Sequence, residues 1–176
     1  MRAGVAYLSE DRKTEGLITA MTIRENLTLA SLFRLFRFGT ISQRKECEAA
    51  RKWVRELRIV ARSVEQTVGT LSGGNQQRTV FAKWRATEPR LLLLDEPTRG
   101  IDVNAKSEIY KMIDEIAAQG LAVLMVSSEL PELIGMSDRI YVMRAGTLVA
   151  ELTEREAMTQ AGILAHILKG ASQPVL

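Results

Sequence analysis

Apolar positions fall in two alternating patterns along the chain, short runs with the period of a strand and longer stretches with the period of a helix. "GVAYL" (4–8) predicts a short strand, and the polar "SEDRKTEG" (9–16) predicts a loop. "MTIRENLTLASLF" (21–33) starts a helix, with Thr22 and Glu25 forming a Thr-x-x-Glu capping box. After a break at "FGTIS" (38–42), residues 43–59 predict an amphipathic helix with Cys47, Ala50, Val54 and Leu57 on one side. Residues 60–71 connect to a helix that opens at "SGG" (72–74) and ends near "ATEPR" (86–90), because Pro89 disfavours helix at Glu88.

"LLLL" (91–94) and "LAVLMV" (121–126) predict buried strands by their length. Between them, Asn104 is expected to cap a helix running to a C′ glycine, Gly120. A short helix is expected near 129–135, then a hairpin over 139–152 turning at Arg144–Gly146. Thr153 and Glu156 box the start of a C-terminal helix. Strands alternating with helices predict an α/β fold with a parallel sheet. The strand-free block from about 20 to 86 predicts a helical subdomain inserted between 1–19 and 87–176, which form the α/β core.

Composition narrows this only modestly. A chain of 176 residues, 46% hydrophobic and 26% charged, suits one soluble domain. A net charge of +3 does not argue for nucleic acid. Residues 24–62 hold ten Arg/Lys against four Glu, either a surface for an anionic or membrane-bound partner or a solvated helical face. Cys47 is the only cysteine, which permits a reducing compartment. The longest apolar runs are too short to span a bilayer, and "MRAGVAYLSEDRK" lacks the apolar region of a signal peptide. A cytoplasmic location is expected unless a partner holds the chain at a membrane.

Two stretches carry chemistry. In "TLSGGNQQ" (70–77), Gly73 and Gly74 stand where a helix should begin, at a cost of roughly 1 kcal/mol each against alanine. A backbone without Cβ, capped by Ser72, can present N–H groups to an anion such as phosphate, or can be a flexible N-cap. In "LLLLDEPTRGID" (91–102), Asp95 and Glu96 leave a buried strand at its C-terminal end, where open α/β sheets bind ligands. Asp95 can hold a hydrated Mg²⁺, and Glu96 can orient or deprotonate an attacking water; alternatively the pair caps a turn.

With these motifs in order, the chain resembles the ATP-binding subunits of ABC transporters, and specifically the second nucleotide-binding half of bacterial sugar importers. "LSGGNQQ" (71–77) matches the signature, "LLLLDEPTRGID" (91–102) the Walker B strand and D-loop, and "SEDRKTEGL" (9–17) and "VSSELPELIGMSDRIYVM" (126–143) the second-half pattern. The resemblance implies ATP and Mg²⁺ as cofactors. It places Ser72, Gly73, Gly74, Gln76 and Asp102 at a nucleotide held by the opposite half, Asp95 at the metal, and Glu96 at the attacking water. Glu10 stands where a metal-coordinating glutamine is usual, and Ser128 where a switch histidine is usual. His166, the only histidine, is expected to be structural.

No glycine is followed by lysine, so G-x-x-x-x-G-K-[ST] is not present. The resemblance therefore implies a partial ABC-type P-loop NTPase core, the C-terminal part of a two-half subunit, with the phosphate-loop strand and helix missing. In the family that strand lies between those at 121–126 and 139–143, so these two are expected to be exposed unless they close on each other. Implied partners are the opposite nucleotide-binding half, the permease subunits of a sugar importer and, indirectly, a periplasmic sugar-binding protein, at the cytoplasmic face of the bacterial inner membrane; nucleic acid is not expected. Two alternatives stay open: a catalytically inactive module that docks to a permease or ATPase half, and a soluble ABC protein of translation or DNA repair. The second alternative would want basic arms or long coiled-coil insertions, which the sequence lacks.

Overall fold

The computed structural model describes residues 3–37 and 40–168, in two compact units, Met1–Val126 and Ser127–Leu176. The first begins with strand β1 (Val5–Leu8) and a π-helical turn (Arg12–Gly16). Helices α1 (Ile23–Leu29) and α2 (Leu32–Leu35), the two-residue strands β2 (Phe36–Arg37) and β3 (Thr40–Ile41), and helix α3 (Gln43–Glu56) follow. Helix α4 (Gly73–Arg85), strand β4 (Leu91–Asp95), helix α5 (Val103–Ala118) and strand β5 (Ala122–Val126) complete it.

A parallel sheet in the order β1-β4-β5 is the frame. Alternation along β1 and β4 buries Ala6, Leu8, Leu92 and Leu94 on one face, while α4, which packs on β1, contributes Val80 and Phe81 to the core. β5 is less buried than its apolar sequence predicts: Leu124 is 49% and Val126 59% exposed, and among the described residues the strand pairs only with β4. A strand reads as buried when both faces are covered, and here one face is open.

The helical block is built on α1. Thr22 and Glu25 form the expected capping box, the Glu25 N–H donating to Thr22 Oγ1 at 3.1 Å and the Thr22 N–H to Glu25 Oε2 at 2.8 Å. α1 packs on α3 and on α4. Ala50 is buried on α3 as expected, but so is Glu46, whose carboxylate meets Arg24 at 2.5 Å and accepts from Thr28 Oγ1 at 2.7 Å. Arg24 also reaches Glu65 at 2.8 Å. The block is not strand-free, because β2 and β3 form a minimal hairpin; Phe38 and Gly39 of "FGTIS" lie outside the described residues.

Three boundaries differ from expectation. Asp102, not Asn104, caps α5, its carboxylate accepting from the Ala105 N–H at 2.9 Å, because the chain leaves Gly100 at φ +66° and turns helical two residues earlier. The loop 9–16 contains the π-helical turn, capped by Asp11, which accepts from the N–H groups of Lys13 and Thr14; the Thr14 side chain first, and then those N–H groups, hold its carboxyl below the usual range. The C-terminal helix starts later than the Thr153–Glu156 box, since 154–158 turn on themselves and Thr159 Oγ1 accepts from the Gly162 N–H at 3.0 Å. Gly120, at φ +87°, ends α5 as expected.

The second unit comprises α6 (Leu130–Met136), β6 (Ile140–Arg144), β7 (Thr147–Leu152) and α7 (Gln160–Leu168). β6 and β7 form the expected antiparallel hairpin, turning through Ala145 and Gly146 with positive φ at both, as the right-handed twist of hairpins favours. Ile140, Val142, Leu152, Met158 and Ile163 form its core, and His166 lies half-buried on α7.

Candidate functional site

Parallel pairing sets the C-terminal ends of three strands level, with Leu8 opposite Leu94 and Asp95 opposite Val126. Asp95 shares a sheet face with Tyr7, whose hydroxyl donates to Asp95 Oδ2 at 2.8 Å. Donation to this carboxylate raises the Tyr7 pKa, because ionising the phenol would break the bond. At Glu96 the backbone turns into the left-handed region (φ +47°), held by its N–H donating to the Val126 carbonyl at 2.9 Å. A non-glycine residue there costs on the order of 1–3 kcal/mol, so the turn that throws out the two carboxylates is over-determined by its neighbours. Gln77, buried on α4, is one of them: its Nε2 donates to the Pro97 carbonyl at 2.7 Å.

The start of α4 lies against the loop after β4. Ser72 caps α4, its Oγ accepting from Asn75 Nδ2 at 3.0 Å and from the Asn75 N–H at 3.5 Å. A Cβ at Gly74 would lie 3.1 Å from Ala105 Cβ, and one at Gly73 3.0 Å from Arg12 Nη2 and 3.7 Å from the Gly100 carbonyl. The paired glycines therefore let a helix end approach α5 and the loop before it, which a flexible cap alone does not require. Ser72, Gly73, Gly74 and Asp102 thus come together on one edge, with Asp102 capping the helix that Gly74 touches.

The other expected site residues are placed differently. Gln76 is buried, its Nε2 directed at the carbonyls of Val68, Gly69 and Leu71, so it supports the connection leading into Ser72. Glu10 forms an ion pair with Arg99. Ser128 is exposed in the second unit, just before α6; its neighbour Ser127 contacts Glu132 and accepts from the Glu129 N–H at 3.0 Å. Tyr7, Arg12 and Gln77 were not singled out from sequence. Tyr7 meets Asp95 through the register of two strands far apart in sequence, and Arg12 and Gln77 act through loop geometry that periodicity does not encode.

One carboxylate at a strand end suits Mg²⁺, which takes one or two carboxylates and fills its shell with water and phosphate oxygens. Asp95 offers such a hard oxygen donor, fixed by Tyr7. The N-terminus of α4 carries partial positive charge worth up to about 2 kcal/mol to a well-placed anion.

A family model described as ABC transporter matches residues 1–99, a range that includes Ser72–Gly74 and Asp95–Glu96. The chain belongs to the ABC transporter family. It is 49% identical over 157 residues to the ribose import ATP-binding protein RbsA of Rhodococcus jostii, covering 89% of this chain and 31% of that one. It is 48% identical over 157 residues to the xylose import ATP-binding protein XylG of Thermoanaerobacter pseudethanolicus, again covering 89% and 31%. The chain thus spans about a third of the length of the curated relatives it matches. Among solved structures, the ADP conformation of MJ1267, an ATP-binding cassette of an ABC transporter, superposes with a TM-score of 0.75 at 22% identity over 96% of this chain and 68% of that one. The ATP-binding cassette MJ0796, in a dimeric post-hydrolysis state bound to ADP and Pi, gives 0.69 at 23% identity over 85% and 62%. The α/β fold, a parallel sheet flanked by helices, is that of ABC ATPase cassettes.

Proposed function

We propose that this chain is the C-terminal part of the second nucleotide-binding half of a bacterial carbohydrate ABC importer, and that it presents the edge Ser72–Gly74 with Asp102 to ATP held by the opposite half. The observation that carries this is the juxtaposition of a serine-capped, Cβ-free helix start with the loop after the Asp95–Glu96 strand. The ribose and xylose import proteins to which the chain is similar support a carbohydrate importer. In this role Ser72 Oγ and the Gly73–Gly74 backbone approach a terminal phosphate, and helix electrostatics favour it only when the halves close.

Asp95 would hold Mg²⁺, which supplies charge neutralisation at the phosphates. Glu96 orients the attacking water, Gln76 supports the signature turn, and Glu10 and Ser128 stand at degenerate positions, Ser128 lacking an imidazole's capacity to hold a proton near neutral pH. Partners are the opposite half, the importer's permease subunits and, through them, a periplasmic sugar-binding protein. The place of action is the cytoplasmic face of the inner membrane. No helix among the described residues is long and apolar enough to cross a membrane.

The chain alone turns over ATP negligibly, because positioned phosphates supply most of the catalysis in phosphoryl transfer and no phosphate-loop motif is present to hold them. Steady-state phosphate release from the chain, beside a Glu96→Gln control, tests this. Background-level release from both is expected; turnover that the control abolishes would make the chain an enzyme in its own right and overturn the assignment. In the assembled importer, Gly73→Asp is expected to abolish sugar uptake, and uptake at the unsubstituted level would overturn the trans role.

A further inference from the structure

We propose that Arg12 is a positioning residue that locks the start of α4 to the Arg99–Gly100 turn, so that the two elements presented to the opposite half form one rigid edge. Its functional consequence rests on the role proposed above; the contact itself does not.

The guanidinium of Arg12 donates from Nη1 to the Arg99 carbonyl at 2.9 Å and from Nη2 to the Gly100 carbonyl at 3.1 Å. Two successive carbonyls matched by one planar fork is recognition that a lysine, with a single ammonium, cannot reproduce. Arg12 also bounds α4, since a Cβ at Gly73 would lie 3.0 Å from Nη2. A side chain at 73 would crowd Arg12, as one at 74 would crowd Ala105.

The placement is costly. Arg12 Nε is buried without a hydrogen-bond partner, and a cation beside a helix N-terminus opposes the helix dipole. Helix stability therefore does not account for it. The approach of Arg12 is prepared from both sides. Asp11 caps the turn that launches the side chain, and Glu10 holds the side chain of the same Arg99 whose carbonyl Arg12 grips. One segment of three residues thereby fixes the loop after β4 by its backbone and by its side chain.

The test has two arms. In the 176-residue chain, Gly73→Ala, Arg12→Ala and the double variant are melted, following Trp53 and Trp84 fluorescence. Gly73→Ala is expected to lower Tm by about 2–4 °C with Arg12 present and to leave it unchanged or raise it once Arg12 is alanine, because alanine is the better helix former. Equal shifts in both backgrounds overturn the contact. In the assembled importer, Arg12→Ala is expected to leave the Kd for Mg–ATP within about 2-fold while turnover falls by about 100-fold, as misplacement of roughly 1 Å commonly does. Arg12→Lys is expected to recover only part of that loss. Unchanged turnover, parallel loss of binding and turnover, or full rescue by lysine overturns the positioning role. An importer without ATP-driven uptake even when unsubstituted would overturn the assigned function and with it this consequence, while the melting cycle still decides whether Arg12 and Gly73 are coupled.

Discussion

Removing Arg24 tests how the helical block that carries α4 is held. Its guanidinium, 11% exposed, meets Glu46 Oε2 at 2.5 Å and Glu65 at 2.8 and 3.2 Å, while Thr28 Oγ1 donates to the other oxygen of Glu46. The hydrogen bonds that Arg24 donates to Glu65 raise the Arg24 pKa, and the same bonds hold Glu65 below the usual carboxylate range. The Glu46 side chain is 10% exposed, so Arg24→Met leaves a buried carboxylate with only the Thr28 hydroxyl. Breaking a buried pair by deleting one partner costs about 3–5 kcal/mol. Glu46→Ala should cost less, about 1–3 kcal/mol, because Arg24 keeps Glu65. Replacing both, as Arg24→Met with Glu46→Leu, removes the uncompensated charge and should recover most of the loss.

At about 2–4 °C per kcal/mol for a chain of this size, Arg24→Met should lower Tm by about 6–20 °C. The two tryptophans, Trp53 on α3 and Trp84 on α4, both report on the first unit, so fluorescence melts follow it separately from the second. A melt of Arg24→Met within about 2 °C of the unsubstituted protein, or a double variant less stable than the sum of the singles, would refute the buried-pair account.

Three further outcomes are expected. The Tyr7 hydroxyl should titrate above its ordinary 10.0, read by ultraviolet absorbance, and return towards it in Asp95→Asn; the hydrogen bond stabilises the fold fully below pH 10 and is lost as pH rises through the raised value. Glu25 is held below its ordinary 4.5, first by the Thr22 N–H, so its contribution is complete above pH 4.5 and disappears as pH falls through the depressed folded value. Thr22→Ala should lower stability by about 1 kcal/mol at pH 7, and Glu25→Gln, which removes the titrating carboxyl, should flatten that acid slope in denaturant melts; an unaltered slope in Glu25→Gln would remove Glu25 as its cause. Finally, the open face and edge of β5 should make the chain self-associate in sedimentation, with Leu124→Lys reducing it. A monomer at all concentrations, with slow hydrogen exchange over 122–126, would show the edge to be protected.

Local signals in the sequence determined most of the elements. The four leucines at 91–94 specify a strand, the acidic pair emerges at its end, and Ser72 caps its helix, because each of these depends on residues within one turn or one pleat of each other. The capping box at Thr22 was legible for the same reason. What depends on distant partners was not. Glu46 reads as the polar face of an amphipathic helix until Arg24, 22 residues away, meets it. Asp102 displaces Asn104 as a cap because the chain reverses at Gly100. The apolar run at 121–126 reads as buried, yet among the described residues β5 pairs only with β4, since hydrophobicity records what a strand is suited to cover and pairing decides whether anything covers it. The two glycines at 73 and 74 announced a close approach; only the packing of Arg12 and Ala105 against them decided what approaches from within the chain.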